Sequence, residues 1–313
     1  MTVVHADCLD GMRGLDAESV DAIVTDPPYG LSFMGKDWDH GVPGEAFWEE
    51  ALRVAKPGAH LLAFGGTRTF HRLAGAIEDA EWEIRDCLSW LYGSGFPKSH
   101  NGPWGGTALK PACEPAVLAR KPISESTVAA NVLRWGTGAL NIDACRLVEG
   151  DSAWPGPSGA VTSVPYPAKG NRIYGELGYR EGEMWDGHPG GRFPANIYAC
   201  PKPAGTEREA GTEHLPQEEK AQLAGAVESD DPVSARFRSQ PTGNTHPTVK
   251  PTKLYRWLLQ LVTPPGGTVL EPFGGSGTTL VAATKEGFRV IAAEREPKYC
   301  DIIRARVEHA LLP

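Results

Sequence analysis

The sequence predicts an α/β fold: one doubly wound, largely parallel sheet, interrupted by an irregular insertion. Three observations predict it. Short apolar runs rich in β-branched residues alternate with stretches of helical periodicity, as in parallel strands joined by crossover helices. Two of those runs break off abruptly, one into Asp26-Pro27-Pro28-Tyr29-Gly30 and the other into Glu271-Pro272-Phe273-Gly274-Gly275-Ser276-Gly277-Thr278, and open α/β sheets bind ligands at such strand ends. Between residues 123 and 243 the periodicity fades into the Gly/Pro-rich stretches WPGPSG, GHPGGRFP and CPKPAG.

Taken in order, Thr2 to His5 reads as a short strand leading to Asp7, and residues 8–15, loosened by Gly11 and Gly14, start a helix. Val20 to Thr25 is an apolar-rich run fit for a strand buried on both faces. Pro27 and Pro28 cannot continue a central ladder, so this strand delivers a carboxylate, a stiff turn and an aromatic ring to its C-terminal edge. The Gly-rich loop after it, LSFMGKDWDHGVPG, carries Phe33 and Trp38 and reads either as a lid or as a solvated excursion. Residues 46–54 form an amphipathic helix stopped by Lys56-Pro57-Gly58, 60–64 a buried strand and 69–81 a helix. Two further strands, 83–92 and 114–119, are separated by the aromatic and basic loop Gly93-Ser94-Gly95-Phe96-Pro97-Lys98. In the insertion only 126–135 and 217–226 look helical, yet Trp135, Trp154, Tyr166, Tyr174, Tyr179, Trp185 and Phe193 give it apolar anchors of its own, unlike a linker. Beyond it, Leu254, Trp257, Leu258, Leu261 and Val262 recur at helical spacing and 268–270 is a strand. A helix over 280–286 follows, then a strand over 289–293 with Glu294 at its tip, and Tyr299, Ile302, Ile303, Val307 and Ala310 place a last helix over the sheet. The organisation is therefore 1–122, an inserted 123–243, and 244–313.

Composition narrows the class. At 313 residues the chain can bury a full core, and with 41% hydrophobic and 22% charged residues it is globular. A net charge of -8 excludes a protein that coats nucleic acid indiscriminately, so any such contact needs a local basic surface. The six cysteines are scattered without metal-ligand spacing and read as reduced, mostly buried thiols, with no metal expected. No signal peptide opens the chain and no apolar run approaches the ~18 residues of a membrane span, so a cytoplasmic enzyme without membrane contact is expected.

The glycine turn has its own chemistry. Strand, Gly-rich turn, helix, then an acid at the tip of the next strand is how a nucleoside-bearing cofactor is held: glycines let the backbone approach and the acid takes ribose hydroxyls. Glu294 lies 17 residues after Gly277, near the expected spacing. Leu280 stands where the dinucleotide fingerprint has its third glycine, and no Lys follows the glycines as in a P-loop. The pattern suits a nucleoside ligand without a pyrophosphate.

DPPYG, followed far downstream by NTHPTVKP and VLEPFGGSGTT, resembles the S-adenosylmethionine-dependent amino-methyltransferases of DNA. The order, DPPY first and glycine turn last, is similar to their permuted β-class, and GFPKS and EPAVLARKP resemble phage or prophage members. The match covers 1–122 and 244–313. It implies a Rossmann-like, seven-stranded sheet with one antiparallel strand, S-adenosylmethionine as cofactor, double-stranded DNA as partner and a flipped target base. By the same resemblance Gly274, Gly275, Ser276 and Gly277, flanked by Phe273 and Thr278, wrap the methionine part of the cofactor and Glu294 holds its ribose. Asp7, followed by Cys8, either contacts the adenine or is an ordinary helix N-cap. His246, Pro247, Thr248 and Lys250 match the family's segment near the methionine carboxylate. Glu271 stands where Asp is usual.

Asp26 and Tyr29 suit the chemistry of an exocyclic amine, whose lone pair is delocalised into its ring. The Asp26 carboxylate and the Pro27 carbonyl, set by Pro28, can accept the two N–H groups and localise that lone pair, while Tyr29 stacks on the extruded base. Arg236, Arg238, Lys250, Lys253 and Arg256 fall in a stretch, 232–256, without Asp or Glu; Arg236 and Arg238, with Lys98, are candidate DNA contacts, the alternative being a solvated basic face. The acidic run 213–231 reads as a solvated face. The expectation is an adenine-N6 DNA methyltransferase with 123–243 reading the target sequence. Cytosine-N4 methylation is the nearest alternative, disfavoured by Asp26 in place of the Ser often seen in cytosine-N4 relatives; a non-catalytic DNA-binding remnant is the alternative of another class. A homodimer and a partner restriction endonuclease are left open.

Overall fold

The computed structural model describes residues 1–31, 39, 41–95, 102–148, 191–218 and 241–312. Among them, the strands are β1 (Thr2–His5), β2 (Val20–Thr25), β3 (Ala55–Phe64), β4 (Glu83–Leu91), β5 (Cys113–Arg120), β6 (Ile197–Ala199), β7 (Thr268–Glu271) and β8 (Arg289–Glu294). The helices are α1 (Cys8–Arg13), α2 (Glu45–Val54), α3 (Phe70–Asp79), α4 (Val128–Trp135), α5 (Gly205–Glu209), α6 (Thr252–Val262), α7 (Thr278–Glu286) and α8 (Pro297–Ala310). The strands form one sheet in the order β1-β8-β7-β2-β3-β5-β4-β6. β5 runs antiparallel to β3 and β4, and every other pairing is parallel.

The doubly wound character follows from alternation along the central strands. Ala22 and Val24 of β2, with Leu62 and Phe64 of β3, face a core built with α6, α7 and α8. Ile23, Leu61 and Ala63 face the opposite core, closed by Met12, Phe47, Trp48, Leu73 and Ile77 of α1, α2 and α3. A strand buried on both faces needs this covering on each side, which is why β2 carries no polar face.

Two differences from the sequence reading have physical causes. The sheet has eight strands, one more than the seven the resemblance implies: β6, from the segment read as an insertion, pairs with β4 through Ser89↔Ile197, Trp90↔Tyr198 and Leu91↔Ala199. Three residues between Pro194 and Pro201 are too few to show a period, and Tyr198 is anchored by tertiary packing, its ring 4.9 Å from that of Trp257. The second difference is Lys56-Pro57-Gly58, which lies inside β3 and does not precede it. The register jumps there, from Val20↔Ala55 to Ala22↔His60. Asn131 Nδ2 and Thr137 Oγ1 both donate to the Pro57 carbonyl, at 2.9 and 2.6 Å, so the break in the ladder is satisfied from the α4 region.

The helix expected over 217–226, apart from its first two residues, and Phe33 and Trp38 of the lid loop lie outside the described residues. Among those described, no helix is long and apolar enough to cross a membrane, and no His/Cys/Asp/Glu group could hold a metal ion.

Candidate active site

The C-terminal ends of β2, β7 and β8 open into a cleft of about 540 Å³. Its walls come from both ends of the sequence. Asp26, Pro27, Pro28 and Tyr29 line it together with Asp7, Cys8, His246, Thr248, Lys250, Glu271, Phe273, Gly274, Gly275, Ser276, Thr278 and Glu294. Of the catalytic and cofactor residues read from the sequence, Gly277 alone is outside the lining. Its φ of +77° starts α7, and a Cβ there would sit 3.2 Å from Ile303. Lys98, Arg236 and Arg238 fall outside the described residues.

The glycine turn is braced by carboxylates bound to neutral donors. Glu294 accepts from the Gly275 and Glu296 amides, each at 2.7 Å. Burial raises this acid above its ordinary value, and the two amides act against that shift. Glu271, 2% exposed, accepts from Thr25 Oγ1 at 2.6 Å, Thr279 Oγ1 at 2.5 Å and the Phe273 amide at 3.1 Å. Burial pushes it up to about 8. Its oxygens thus tie the end of β2 to β7 and α7, and the Glu-for-Asp difference supplies the reach. Asp7 is the N-cap of α1, accepting from Leu9 N at 2.9 Å, and also lines the cleft. Cys8 beside it is raised to about 12 by burial and by the Asp7 charge. All six cysteines are free, three of them buried.

The DPPY turn is held differently. The Thr69 hydroxyl donates to the Tyr29 carbonyl at 2.6 Å, and Asp39 accepts from the Gly30 and Leu31 amides at 2.8 and 3.2 Å. Within this clamp the Tyr29 hydroxyl lies 2.8 Å from Asp26 Oδ1 and 3.1 Å from Glu114 Oε2. Lys250 Nζ pairs with Asp26 Oδ2 and sits 3.1 Å from the Tyr29 hydroxyl and 3.4 Å from Glu114 Oε2. Burial alone would lower Lys250; the Asp26 and Glu114 charges raise it instead, so it remains an ammonium. Tyr29 is raised well above its ordinary value by burial and by the same two acids. The sequence placed Lys250 near the cofactor's carboxylate; the structure seats its ammonium on Asp26. Sequence reasoning missed Glu114 as a site residue. The one available signal was a carboxylate followed by Pro115 at the start of a strand otherwise apolar to Ala119.

His246 packs edge-on to Tyr299 with ring centroids 4.7 Å apart, its Nδ1 lies 2.9 Å from the Thr248 carbonyl, and burial pushes it down to about 4. It is a neutral wall beside Gly275.

A family model described as DNA methylase, of the N6/N4 methyltransferase type, matches residues 20–305. The chain belongs to the N6/N4 DNA methylase family. Among its relatives, the type II methyltransferase M.HindIII of Haemophilus influenzae is 22% identical over 354 residues, an alignment covering 94% of this chain and 90% of that protein. M2.DpnII of Streptococcus pneumoniae is 43% identical over 63 residues, 20% of this chain and 24% of that one. Among solved structures, the M1.HpyAVI–SAM complex superposes with a TM-score of 0.52 at 17% identity, covering 98% of each chain. PvuII DNA methyltransferase, cytosine-N4-specific, gives 0.55 at 15% identity, covering 99% of this chain and 86% of that one. These likenesses show the methyltransferase fold.

This DNA methylase uses S-adenosylmethionine, and the residues present fit that ligand. Gly275, at φ +52°, would bring a Cβ to 3.0 Å from His246 Nε2, and a Cβ on Gly274 would lie 3.2 Å from the Ala293 carbonyl. A bare backbone is the condition for close approach of a ligand. Glu294 ends β8 and Asp7 stands just beyond the adjacent β1, and each Glu294 oxygen that binds one amide keeps a second lone pair for a hydroxyl. The cleft volume is that of a cofactor-sized site.

Proposed function

We propose that this methylase transfers a methyl group to the N6 amine of an adenine flipped out of double-stranded DNA, with Asp26 and the Pro27 carbonyl as acceptors of the amine hydrogens. One observation carries the reading: β2 ends by presenting Asp26 in the same cleft as the glycine turn. When bound, S-adenosylmethionine supplies a methyl carbon on a positively charged sulfur. Gly274, Gly275, Ser276, Gly277 and Thr278 cradle its amino-acid part, Glu294 takes its ribose, and Asp7 and Phe273 flank its adenine end. Glu271 acts one step back, as the strut that fixes the turn. On the DNA side, the proline pair fixes the Pro27 carbonyl, and the Tyr29 ring stacks on the base and recovers part of the few kcal/mol lost on unstacking. Asp26 favours adenine over cytosine, the base named for PvuII.

The insertion, 123–243, is proposed to read the target sequence, and Lys98, Arg236 and Arg238 to contact phosphates. Arg236→Ala with Arg238→Ala is expected to flatten the salt dependence of DNA binding by up to about two phosphate contacts, and an unaltered slope returns both to a solvated face.

The test of the central reading is single-turnover transfer of labelled methyl groups to duplex DNA, with the product nucleoside identified by mass. N6-methyladenine is expected. Asp26→Ala should lower transfer by at least about a hundredfold while cofactor affinity stays within a few fold. Wild-type transfer by this variant would remove the role given to Asp26. N4-methylcytosine as product would replace adenine as the substrate.

A further inference from the structure

We propose that Glu114 is the final proton acceptor of methyl transfer, receiving through the Tyr29 hydroxyl the proton that the target amine sheds onto Asp26. The inference rests on the reading of Asp26 given above.

Methylating a neutral amine requires somewhere for a proton to go. The amine nitrogen forms a bond to the methyl carbon as the carbon–sulfur bond breaks, its electron pair staying on sulfur. The nitrogen then carries a positive charge until one N–H bond breaks, returning its electrons to nitrogen and leaving the proton on the nearest acceptor. That acceptor is Asp26, already hydrogen-bonded to the amine. With the base in place Asp26 is enclosed, and its Oδ2 is taken by Lys250.

A path leads onward from its other oxygen. Asp26 Oδ1 is 2.8 Å from the Tyr29 hydroxyl, which is 3.1 Å from Glu114 Oε2. The proton passes from Asp26 to the Tyr29 oxygen as the original hydroxyl proton passes to Glu114, so the tyrosine ends as it began and Glu114 ends protonated. Because the phenol is held in its protonated form by burial and by the two acids, it has a proton to give. Beyond Glu114, the Nζ of Lys202, a half-exposed side chain, lies 4.0 Å from its Oε1 and marks the way to solvent.

The charges agree with this direction. Two carboxylates, one ammonium and one phenol meet within hydrogen-bonding reach at the turn, a formal charge of -1, and a further cation, Lys202, stands at the longer distance of 4.0 Å on the solvent side of Glu114. Lys250 reaches both carboxylates, so it compensates one of them and leaves the other to take the proton. Asp26 and Lys250 alone would already balance one charge against the other at the turn; the antiparallel strand brings in a second acid, Glu114, on the far side of the Tyr29 hydroxyl.

The experiment compares Glu114→Gln, Glu114→Asp and Tyr29→Phe with wild type in single-turnover transfer. Cofactor affinity and target-base extrusion, the latter from 2-aminopurine fluorescence, are measured on each. Glu114→Gln keeps the shape and a hydrogen-bond acceptor but cannot take a proton, so transfer should fall at least about a hundredfold with affinity and extrusion within about threefold of wild type. Glu114→Asp should recover most of the rate. Tyr29→Phe keeps the stacking ring and breaks the path, so it should extrude the base and transfer slowly. Transfer by Glu114→Gln or Tyr29→Phe within about threefold of wild type overturns the proposal. So does a fall in rate matched by a fall in extrusion or affinity, which would make Glu114 a structural residue. Asp26→Ala runs beside them: wild-type transfer there would sink the reading of Asp26 itself, whereas a slow Asp26→Ala with a fast Glu114→Gln would sink the Glu114 step alone.

Discussion

The two turns that meet in the cleft hold their acids in opposite ways. At the glycine turn, Glu271 and Glu294 accept from hydroxyls and backbone amides. At the DPPY turn, Asp26 and Glu114 share a buried ammonium and a phenol. The contrast matches what each half must face. On the reading proposed above, the cofactor brings its own positive charge to the glycine half, where the two acids are bonded to hydroxyls and amides and the buried Arg306 donates to the Ser276 carbonyl. The other half receives a neutral amine, and its acids need a fixed countercharge to stay in place while no substrate is bound.

Breaking the countercharge should produce the largest effect. Lys250→Met leaves two carboxylates facing one another, and removing one partner of a buried pair costs about 3–5 kcal/mol, to be read from urea unfolding; a loss near zero would mean that water, and not Lys250, compensates them. The second test asks whether Glu271 is truly held by neutral donors. Because its folded-state value is raised from 4.5 to about 8, the folded state keeps a proton that the unfolded chain releases between these values. Its contribution to stability is therefore greatest below about pH 4.5, declines as pH rises to 8 and is level above. Thermal unfolding of Glu271→Gln should lack this downward slope, and a slope equal to that of wild type would show that Glu271 is ionised throughout. Third, Gly275→Ala places a Cβ at φ +52° and 3.0 Å from His246 Nε2, a strain of about 1–2 kcal/mol. Cofactor affinity should drop about tenfold while transfer at saturating cofactor changes less; the reverse split would put Gly275 in the chemistry. The smallest effect is Thr279→Val, which removes one of three donors to Glu271 and should cost about 1 kcal/mol in unfolding free energy.

The same division decides how much could be read from the sequence. The glycine turn and the DPPY turn are local devices: proline stops a ladder and glycine permits a bare backbone wherever they occur, so both motifs, and fourteen of the strands and helices built around them, were legible within a few residues of their observed ends, while the five-residue α5 was too short to show a helical period. β6 was not, because three residues have no measurable period and Tyr198 is held by Trp257. The charge cluster was not legible either. Asp26, Glu114 and Lys250 come from three distant segments, and nothing in local spacing says that an acid starting β5 meets a lysine in a proline-rich loop. Lys250 was recognised but given to the cofactor, since a sequence motif names a neighbourhood without giving the direction of a side chain.

The pairing of β2 with β7 also sets a timetable for the newborn chain. Thr268 N donates to Asp21 Oδ2 across 247 residues of sequence, so β2 leaves the ribosome long before the strand that flanks it. At ordinary synthesis rates the interval is about 10–50 s. Throughout it, a strand that is buried along its whole length in the folded protein has one open edge, and the glycine turn that completes the cleft has not been made. A chain cut short anywhere between Gly30 and Gly277 would therefore carry the DPPY turn without the glycine turn that completes the cleft.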